Sequence, residues 1–270
     1  MPVFRSEHCS LSYEDLGAGR PVVLLHGFTN FGLSWSPQLS PLVHSGYRVI
    51  VPDLRGHGAS SAAEEPCTVA DLAADIGALL DHLGISDAGI CGLSLGGMIA
   101  LRLAIDQPHH VACLVIANSR ASFAGSEMTV IVEGWVTVLL QPEGPLNRLR
   151  ATWPKLANDS FRDSPAGRAA FDGWVQVAQT VKGSSLANVA SGMSDFDVRD
   201  RLSAINKPVL VIAGEYDRLF SAEDGREISS AVGGSQYAII SGAGHLSNID
   251  SPDQFNRLLL SFLALHFPSS

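Results

Sequence analysis

The chain has 270 residues, of which 46% are hydrophobic and 17% are charged. This composition is too apolar and too weakly charged for an intrinsically disordered protein, and the length allows one large domain or two small ones. Acidic residues outnumber basic ones by 27 to 18, which gives a formal net charge of −9. Because this charge repels phosphate backbones and anionic membrane surfaces, we expect neither nucleic acid nor a membrane as a partner.

Six short apolar runs predict strands that are buried on both faces of a sheet. They span residues 22–26, 48–51, 88–92, 112–117, 209–213 and 237–240. Helical patterns lie between or after these runs at residues 68–83, 95–106 and 252–265, and Thr68 with Asp71 forms an N-terminal capping signal. Strands that alternate with helices indicate right-handed crossovers and a mostly parallel sheet with helices on both faces.

Residues 120–190 interrupt this alternation. The segment has no strand-like run in a clear strand–helix unit, four prolines divide it into short helical stretches, and three of the four tryptophans fall within it. The alternation resumes at Val209. We therefore predict an α/β core domain formed by residues 1–119 and 191–270, and a helical lid formed by residues 120–190, which we call the cap.

The four cysteines stand far apart and form no C-x-x-C pair: Cys9, Cys67, Cys91 and Cys113. This spacing favours buried free thiols over disulfides or a metal site. The first eight residues lack the apolar core of a signal peptide. The apolar stretch at residues 128–140 contains Glu133 and is short for a membrane span. We therefore expect a soluble, cytoplasmic protein.

Ser94 is a candidate nucleophile in the sequence Gly92-Leu93-Ser94-Leu95-Gly96. The G-x-S-x-G pattern is weak by itself, but here it directly follows a predicted strand and directly precedes a predicted helix. A sharp turn between strand and helix lifts a serine hydroxyl above the sheet edge, and its glycine neighbours allow close passage of the chain. The tripeptide Gly32-Leu33-Ser34 lacks the second glycine and a preceding strand, so we interpret Ser34 as a loop or helix-cap residue.

A serine hydroxyl needs a base to remove its proton, and the base needs a carboxylate that fixes its tautomer. His245 and Asp217 each follow a predicted strand, which places them at the carboxyl ends of parallel strands. Glu215 is a rival for the acid. The turn after residues 112–117 begins with Asn118 and carries no carboxylate. The other histidines lack the spacing of metal ligands, so we expect no metal and no cofactor.

Acyl transfer also needs hydrogen-bond donors for the negative charge that develops on the carbonyl oxygen. We expect one donor to be the backbone N–H of Leu95, directly after the candidate nucleophile. The second is expected to be the backbone N–H of Phe28, in the loop that follows the strand predicted at residues 22–26. These two groups predict an oxyanion hole beside Ser94.

Several motifs together resemble the α/β-hydrolase superfamily: the His26-Gly27-Phe28 loop, the Asp53-Leu54-Arg55-Gly56-His57-Gly58 turn, the serine elbow, and the loops of Asp217 and His245. The resemblance covers residues 20–118 and 205–265. It implies an α/β-hydrolase fold with an eight-stranded, mostly parallel sheet, a lid at residues 120–190 and a covalent acyl-enzyme. Residues 91–97 and 245–249 are similar to those of 3-oxoadipate enol-lactonases and related carboxylesterases.

The cap carries seven basic and six acidic residues, so its net charge is +1 against −10 for the rest of the chain. This difference could admit a substrate with a carboxylate, or the cap could have an ordinary solvated surface. We expect Trp135, Trp153 and Arg120 to contact the substrate. The sequence thus predicts a serine hydrolase that cleaves a small carboxylic ester or lactone. The alternatives are hydrolysis of a carbon–carbon bond, cofactor-free perhydrolysis on the same triad, and a ligand receptor with a hydrolase fold.

Overall fold

A computed structural model describes residues 1–269. Eight strands form one sheet: β1 (Val3–Arg5), β2 (Ser10–Leu16), β3 (Arg20–Leu25), β4 (Tyr47–Pro52), β5 (Ala88–Leu93), β6 (Val111–Ala117), β7 (Val209–Gly214) and β8 (Gln236–Ile240). Their order across the sheet is β1-β2-β4-β3-β5-β6-β7-β8. β2 is antiparallel to β1 and to β4, and the other neighbouring pairs are parallel. The predicted mostly parallel eight-stranded sheet is confirmed.

Helices cover both faces of this sheet. In chain order they are α1 (Ser36–His44), α2 (Val69–His82), α3 (Leu95–Asp106), α4 (Ser126–Leu139), α5 (Gly144–Leu156), α6 (Asp159–Asp163), α7 (Pro165–Thr180), α8 (Gly183–Met193), α9 (Ala222–Ala231), α10 (Ser247–Asp250) and α11 (Pro252–His266). Helices α2, α3 and α9 pack with Val23 and Leu25 of β3, whereas α1 and α11 pack with Val22 and Leu24 on the opposite face. Within residues 1–269, no helix has the length and apolar composition required to cross a membrane.

The six predicted strands are present, but β1 and β2 were not predicted. Leu11 and Tyr13 of β2 are buried, whereas Glu14 and Asp15 in the same strand are partly or fully exposed. An antiparallel strand near the side of a sheet is covered less completely than a central parallel strand, so its sequence carries no continuous apolar run. These two strands therefore leave no continuous apolar run in the sequence.

Helix α2 illustrates how a local sequence signal sets an element boundary. Thr68 Oγ1 accepts a hydrogen bond from the backbone N–H of Asp71 at 3.1 Å, and the Asp71 carboxylate accepts one from the backbone N–H of Thr68 at 2.8 Å. This reciprocal capping box satisfies two donors at the helix start. Leu72, Ile76 and Leu79 lie on the buried face of the helix. The capping pair and the apolar spacing thus predicted this helix to within one residue at each end.

The cap contains helices α4 to α7 and most of α8. Helix α8 does not stop at residue 190, where we placed the boundary, but continues to Met193. Leu186, Val189 and Met193 are all buried in the core that also contains α3, so the packed face of α8 spans the predicted boundary. Because one apolar face crosses residue 190, the sequence carried no signal for a break there. The division into core and lid domains stays a prediction.

Candidate active site

Ser94 lies at the sharp turn between β5 and α3. Its backbone has φ 57° and ψ −118°, a positive-φ conformation that is strained for a residue with a side chain. A Cβ on Gly92 would lie 2.1 Å from the carbonyl oxygen of Gly96, and one on Gly96 would lie 2.0 Å from the carbonyl oxygen of Leu25. Both flanking glycines are therefore required for the turn, which presents the serine at the carboxyl edge of the sheet.

Hydrogen bonds to the neighbouring strand hold this turn in place. The backbone N–H of Ser94 donates to the carbonyl oxygen of Ala117 at 2.9 Å, and the hydroxyl of Ser119 donates to the carbonyl oxygen of Ser94 at 2.7 Å. A Cβ on Gly97 would lie 2.5 Å from the Cβ of Ser119. Sequence reasoning missed Ser119, although its position directly after a central strand was a usable signal.

Asp217 and His245 form a buried, hydrogen-bonded pair on the loops after β7 and β8. His245 Nδ1 and Asp217 Oδ2 are 2.8 Å apart, and the side chains are 3% and 1% exposed. The other carboxylate oxygen, Oδ1, accepts hydrogen bonds from the backbone N–H groups of Leu219 and Phe220 at 2.8 and 3.0 Å. Burial alone would raise the pKa of Asp217. Three partners outweigh burial and hold this pKa below its usual value: His245, through its charge and its hydrogen bond, and Phe220 and Asn118, through their hydrogen bonds.

Glu215, the rival acid, lies elsewhere. Its carboxylate accepts hydrogen bonds from the Ser241 hydroxyl at 2.7 Å and from the backbone N–H of Gly242 at 2.8 Å, and the residue is exposed. These hydrogen bonds hold the pKa of Glu215 below its usual value. The structure therefore pairs His245 with Asp217 and not with Glu215.

Asn118 connects the loops that carry the acid and the histidine. Its side-chain Nδ2 donates to Asp217 Oδ2 at 3.0 Å and to the carbonyl oxygen of Gly244 at 3.3 Å. Its Oδ1 accepts a hydrogen bond from the hydroxyl of Ser247. Sequence reasoning used the Asn118 turn only to exclude a carboxylate and missed the amide. Asn118 directly follows β6, which lies between β5 and β7 in the sheet. That position at the carboxyl edge was the sequence signal that could have identified Asn118 as a site residue.

Ser94 and His245 line the same cavity. Among the described residues, His245 does not form a hydrogen bond with Ser94, and its side-chain partner is Asp217. In hydrolases this contact is often longer than a hydrogen bond before substrate binds, and it shortens in the reactive complex. The ring of Phe220 packs edge-on against the His245 imidazole, with 5.2 Å between the ring centroids, which restrains its orientation.

The two N–H groups that we expect to form an oxyanion hole are available as donors. Within residues 1–269, neither Phe28 nor Leu95 donates its backbone N–H to a protein acceptor. Phe28 and Ser94 line the same cavity. A Cβ on Gly27 would lie 3.2 Å from the Cβ of Ser94, so the loop before Phe28 passes close to the elbow. Both N–H groups are thus free to donate, and the oxyanion hole that they are expected to form stays a prediction.

Two buried histidines hold the turn that carries Phe28. His57 Nε2 accepts a hydrogen bond from the backbone N–H of Thr29 at 3.1 Å, and His26 Nε2 accepts one from the backbone N–H of Leu54 at 3.0 Å. Burial lowers the pKa of His26 to about 4 and that of His57 to about 3. Both imidazoles are therefore neutral near pH 7, which is the form that can accept these hydrogen bonds.

The cavity beside Ser94 has a volume of about 570 Å³. Its lining is mainly apolar and comes from both the cap and the carboxyl edge of the sheet. A cavity of this size and character can enclose a small organic molecule. Trp174 of the cap is fixed at its wall, because its indole N–H donates to Asn30 Oδ1.

The three residues that we expected to contact the substrate have different environments. Trp135 and Arg120 line the cavity, whereas Trp153 does not. Trp153 packs against Phe171 and Trp174, with ring-centroid distances of 5.3 and 5.4 Å. Thr152, the preceding residue of α5, does line the cavity. Consecutive residues of a helix point about 100° apart, so Trp153 points in a different direction. The expectation for Trp153 is therefore corrected: it packs in the interior of the cap.

The sequence spacing of the other histidines gave no sign of a metal site, but the fold brings three potential ligand residues together, with their ligand atoms within 4.8 Å of one another. The group consists of Asp81, His109 and His110. His109 and His110 precede β6, whereas Ser94 follows β5, so the group lies at the opposite edge of the parallel sheet. It is thus separate from the serine, the acid and the imidazole described above.

The chain matches the α/β hydrolase fold family over residues 20–252. It is 31% identical over 240 residues to 3-oxoadipate enol-lactonase 1 of Acinetobacter baylyi, and the match covers 87% of this chain and 85% of the relative. The enol-lactonase from Burkholderia xenovorans LB400 has a similar structure, with a TM-score of 0.90, 25% identity, and coverage of 97% of this chain and 100% of that chain. A thermophilic esterase from Thermogutta terrifontis has a TM-score of 0.87 at 30% identity and covers 96% of this chain and 94% of its own. This chain belongs to the α/β-hydrolase family and is a hydrolase.

Proposed function

We propose that this hydrolase cleaves small carboxylic esters or lactones with a Ser94–His245–Asp217 triad. The observation that carries the proposal is the buried Asp217–His245 pair, whose imidazole lines the same cavity as the serine at the strained elbow. The names of two relatives, an enol-lactonase and an esterase, support the same class of substrate. The cavity of about 570 Å³ limits the substrate to a small molecule.

In the first half of the reaction, Ser94 Oγ attacks the carbonyl carbon while His245 Nε2 accepts the hydroxyl proton. The carbonyl oxygen becomes an oxyanion, which accepts hydrogen bonds from the backbone N–H groups of Phe28 and Leu95. When the tetrahedral intermediate collapses, the bond to the alcohol oxygen breaks and the imidazolium returns its proton to that oxygen. The acyl group remains bonded to Ser94, and for a lactone the new hydroxyl remains attached to it.

In the second half, His245 removes a proton from a water molecule, and the resulting hydroxide attacks the acyl carbon. The same two N–H groups stabilise the second oxyanion, and collapse breaks the bond to Ser94 Oγ, which regains a proton from His245. Asp217 holds Nδ1 protonated, so that Nε2 is the free base, and stabilises the imidazolium that forms in each half. The products are a carboxylic acid and an alcohol.

The test is to label the active serine with a fluorophosphonate and to measure hydrolysis of p-nitrophenyl butyrate. Wild-type protein is expected to be labelled once and to turn over, whereas Ser94→Ala is expected to lose labelling and to lose about 10⁴-fold or more in kcat. Ser34→Ala is the matched control, because it alters the other Gly-Leu-Ser tripeptide of the chain. Hydrolysis by Ser94→Ala at the wild-type rate would refute the proposal, and labelling of Ser94 with no ester turnover would favour a receptor.

A further inference from the structure

Arg148 of the cap is a buried cation in the cavity beside Ser94. It is 9% exposed and lines the cavity, and its Nε is buried without a hydrogen-bond partner. Within residues 1–269, its guanidinium forms neither a hydrogen bond nor an ion pair. Burial lowers the pKa of Arg148 only to about 10, so the group is charged near pH 7. Arg148 therefore places an uncompensated positive charge in the cavity.

The other basic residues of the cavity are paired or exposed. Arg120 forms an ion pair with Asp224 at 3.1 Å, Arg218 lies 3.6 Å from Asp159, and Lys155 is exposed to solvent. Across the described chain, the cavity lining includes no aspartate or glutamate, although the protein has a net charge of −9. The cavity is thus a local positive region in an acidic protein, and Arg148 is its buried, unpaired cation.

Two aromatic rings position the Arg148 guanidinium. Its Cζ lies 4.1 Å from the ring centroid of Trp135 and 5.2 Å from that of Phe28. The faces of these rings attract a cation, but they do not accept the in-plane N–H hydrogen bonds of a guanidinium. The rings therefore restrain the group while leaving its hydrogen-bonding capacity unused, which is the arrangement expected for a group that binds a ligand.

We propose that Arg148 binds a carboxylate carried by the substrate, so that the enzyme acts on small esters or lactones of anionic acids. This inference rests on the proposed function and specifies its substrate class. A guanidinium forms two parallel hydrogen bonds with a carboxylate, and one unpaired guanidinium balances one negative charge. A doubly charged phosphate ester would leave a charge unbalanced.

Phe28 relates this anion site to the proposed reaction centre. Its ring contacts the Arg148 guanidinium, and its backbone N–H is one of the two proposed oxyanion donors. A substrate that reaches both groups must carry its carboxylate and its scissile carbonyl on one short carbon chain. The spacing between the two groups is therefore a property that can be measured with a series of esters.

The test compares monoethyl succinate, glutarate and adipate with ethyl butanoate, pentanoate and hexanoate, in which a methyl group replaces the carboxylate. The wild-type enzyme is expected to favour the anionic member of at least one pair by tenfold or more in kcat/KM. In Arg148→Met this ratio is expected to fall by at least tenfold, because the buried ion pair is lost. In Arg148→Lys, which retains charge without the planar fork, the ratio is expected to be intermediate.

Arg150→Met is the matched control, since Arg150 is an exposed arginine on the same helix and does not line the cavity. Its ratio is expected to stay within twofold of the wild-type ratio. A wild-type ratio of one or less for every pair would overturn the inference even if no variant folds. A preference for anionic esters that Arg148→Met leaves intact would also overturn the inference. In either case, Ser94-dependent hydrolysis of both ester series would still support the proposed function.

A binding measurement separates the two proposals if no ester is hydrolysed. Calorimetry with the Ser94→Ala protein requires no turnover, and monoethyl glutarate is expected to bind at least tenfold more tightly than ethyl pentanoate. Adding Arg148→Met is expected to remove this difference. Failure of hydrolysis with retained, Arg148-dependent binding would refute the proposed function alone, and equal binding of the two esters would refute the carboxylate site.

Discussion

Asp217 at the carboxyl edge of the sheet and Arg148 in the cap both have buried side chains, but they differ in how completely their polar groups are paired. Each carboxylate oxygen of Asp217 accepts two hydrogen bonds, one oxygen from His245 and Asn118 and the other from two backbone N–H groups. In the cap, the guanidinium of Arg148 packs against two aromatic rings but has no hydrogen-bond or ion-pair partner among residues 1–269. The sheet edge is thus preorganised, whereas the cap has an unpaired group that a substrate can satisfy. We infer that the sheet edge determines the reaction and the cap determines the substrate.

The strongest test of this contrast is Asp217→Asn, which retains the shape of the acid but removes its charge. An amide can no longer hold the His245 tautomer that leaves Nε2 free, so kcat for an ester substrate is expected to fall by about 10⁴-fold. Stopped-time assays of p-nitrophenyl butyrate hydrolysis would measure the effect. Glu215→Gln changes the rival carboxylate and is the control. A larger loss of kcat in Glu215→Gln than in Asp217→Asn would contradict the assignment of the acid.

The second test compares two tryptophans of the cap. Trp153 is 8% exposed and packs against Trp174, so Trp153→Ala is expected to lower the free energy of unfolding by about 3 kcal/mol. Urea denaturation measures this change. Trp135 lines the cavity and contacts Arg148, so Trp135→Ala is expected to act mainly on KM for an ester. If folded Trp153→Ala protein showed the same increase in KM as Trp135→Ala, the distinction between a packing tryptophan and a cavity tryptophan would be contradicted.

Three residues of the candidate active site were predictable because local backbone constraints leave a trace in the sequence. Gly92 and Gly96 are required by contacts of about 2 Å that any Cβ would make, so the elbow is visible as a motif between a strand and a helix. The carboxyl ends of parallel strands also bring distant residues to one edge. These constraints allowed Ser94, Asp217 and His245 to be selected before their geometry was known.

The cap residues could not be ranked in the same way. Trp135 and Trp153 are the same residue type in the same segment, and only helix packing decides that Trp135 lines the cavity and Trp153 does not. Similarly, Arg148 is one of seven basic residues of the cap, and its sequence neighbours do not indicate that it is buried. Sequence reasoning selected Arg120, whose charge is paired with Asp224, and missed Arg148. Burial and pairing are properties of the folded chain, so they required the structure.

A smaller effect is expected from Asn118→Ala, which removes one of the four hydrogen bonds to Asp217. Losing this donor is expected to lower kcat/KM by about tenfold, because a buried acceptor loses one partner. The substitution is also expected to raise the pKa of Asp217. The acidic limb of the activity profile is therefore expected to move to higher pH. The pH profile of kcat/KM measures both changes. Asn206→Ala, at an exposed loop position, is the control, and a matching profile for the two variants would contradict a role for Asn118.

The last expected effect concerns stability rather than activity, at the turn that carries Phe28. Burial lowers the pKa of His26 to about 4 and that of His57 to about 3, while an unfolded chain binds these protons near pH 6.5. Between pH 6.5 and 4 the unfolded state therefore binds more protons, and the free energy of unfolding falls on acidification by up to about 1.4 kcal/mol per pH unit for each histidine. Above pH 6.5 this contribution is fully present.

His57→Gln isolates one of these contributions, because glutamine can still accept the hydrogen bond from Thr29 but does not titrate. Urea denaturation of wild-type and variant protein at several values between pH 6.5 and 4 measures the two slopes. The variant is expected to lose stability less steeply than the wild type, and the difference between the curves is expected to grow as pH falls. Carboxylates such as Asp217 are common to both proteins, so their titration cancels in this difference. Parallel curves would mean that His57 is protonated as readily in the folded state as in the unfolded state, contrary to its burial and its hydrogen bond from Thr29.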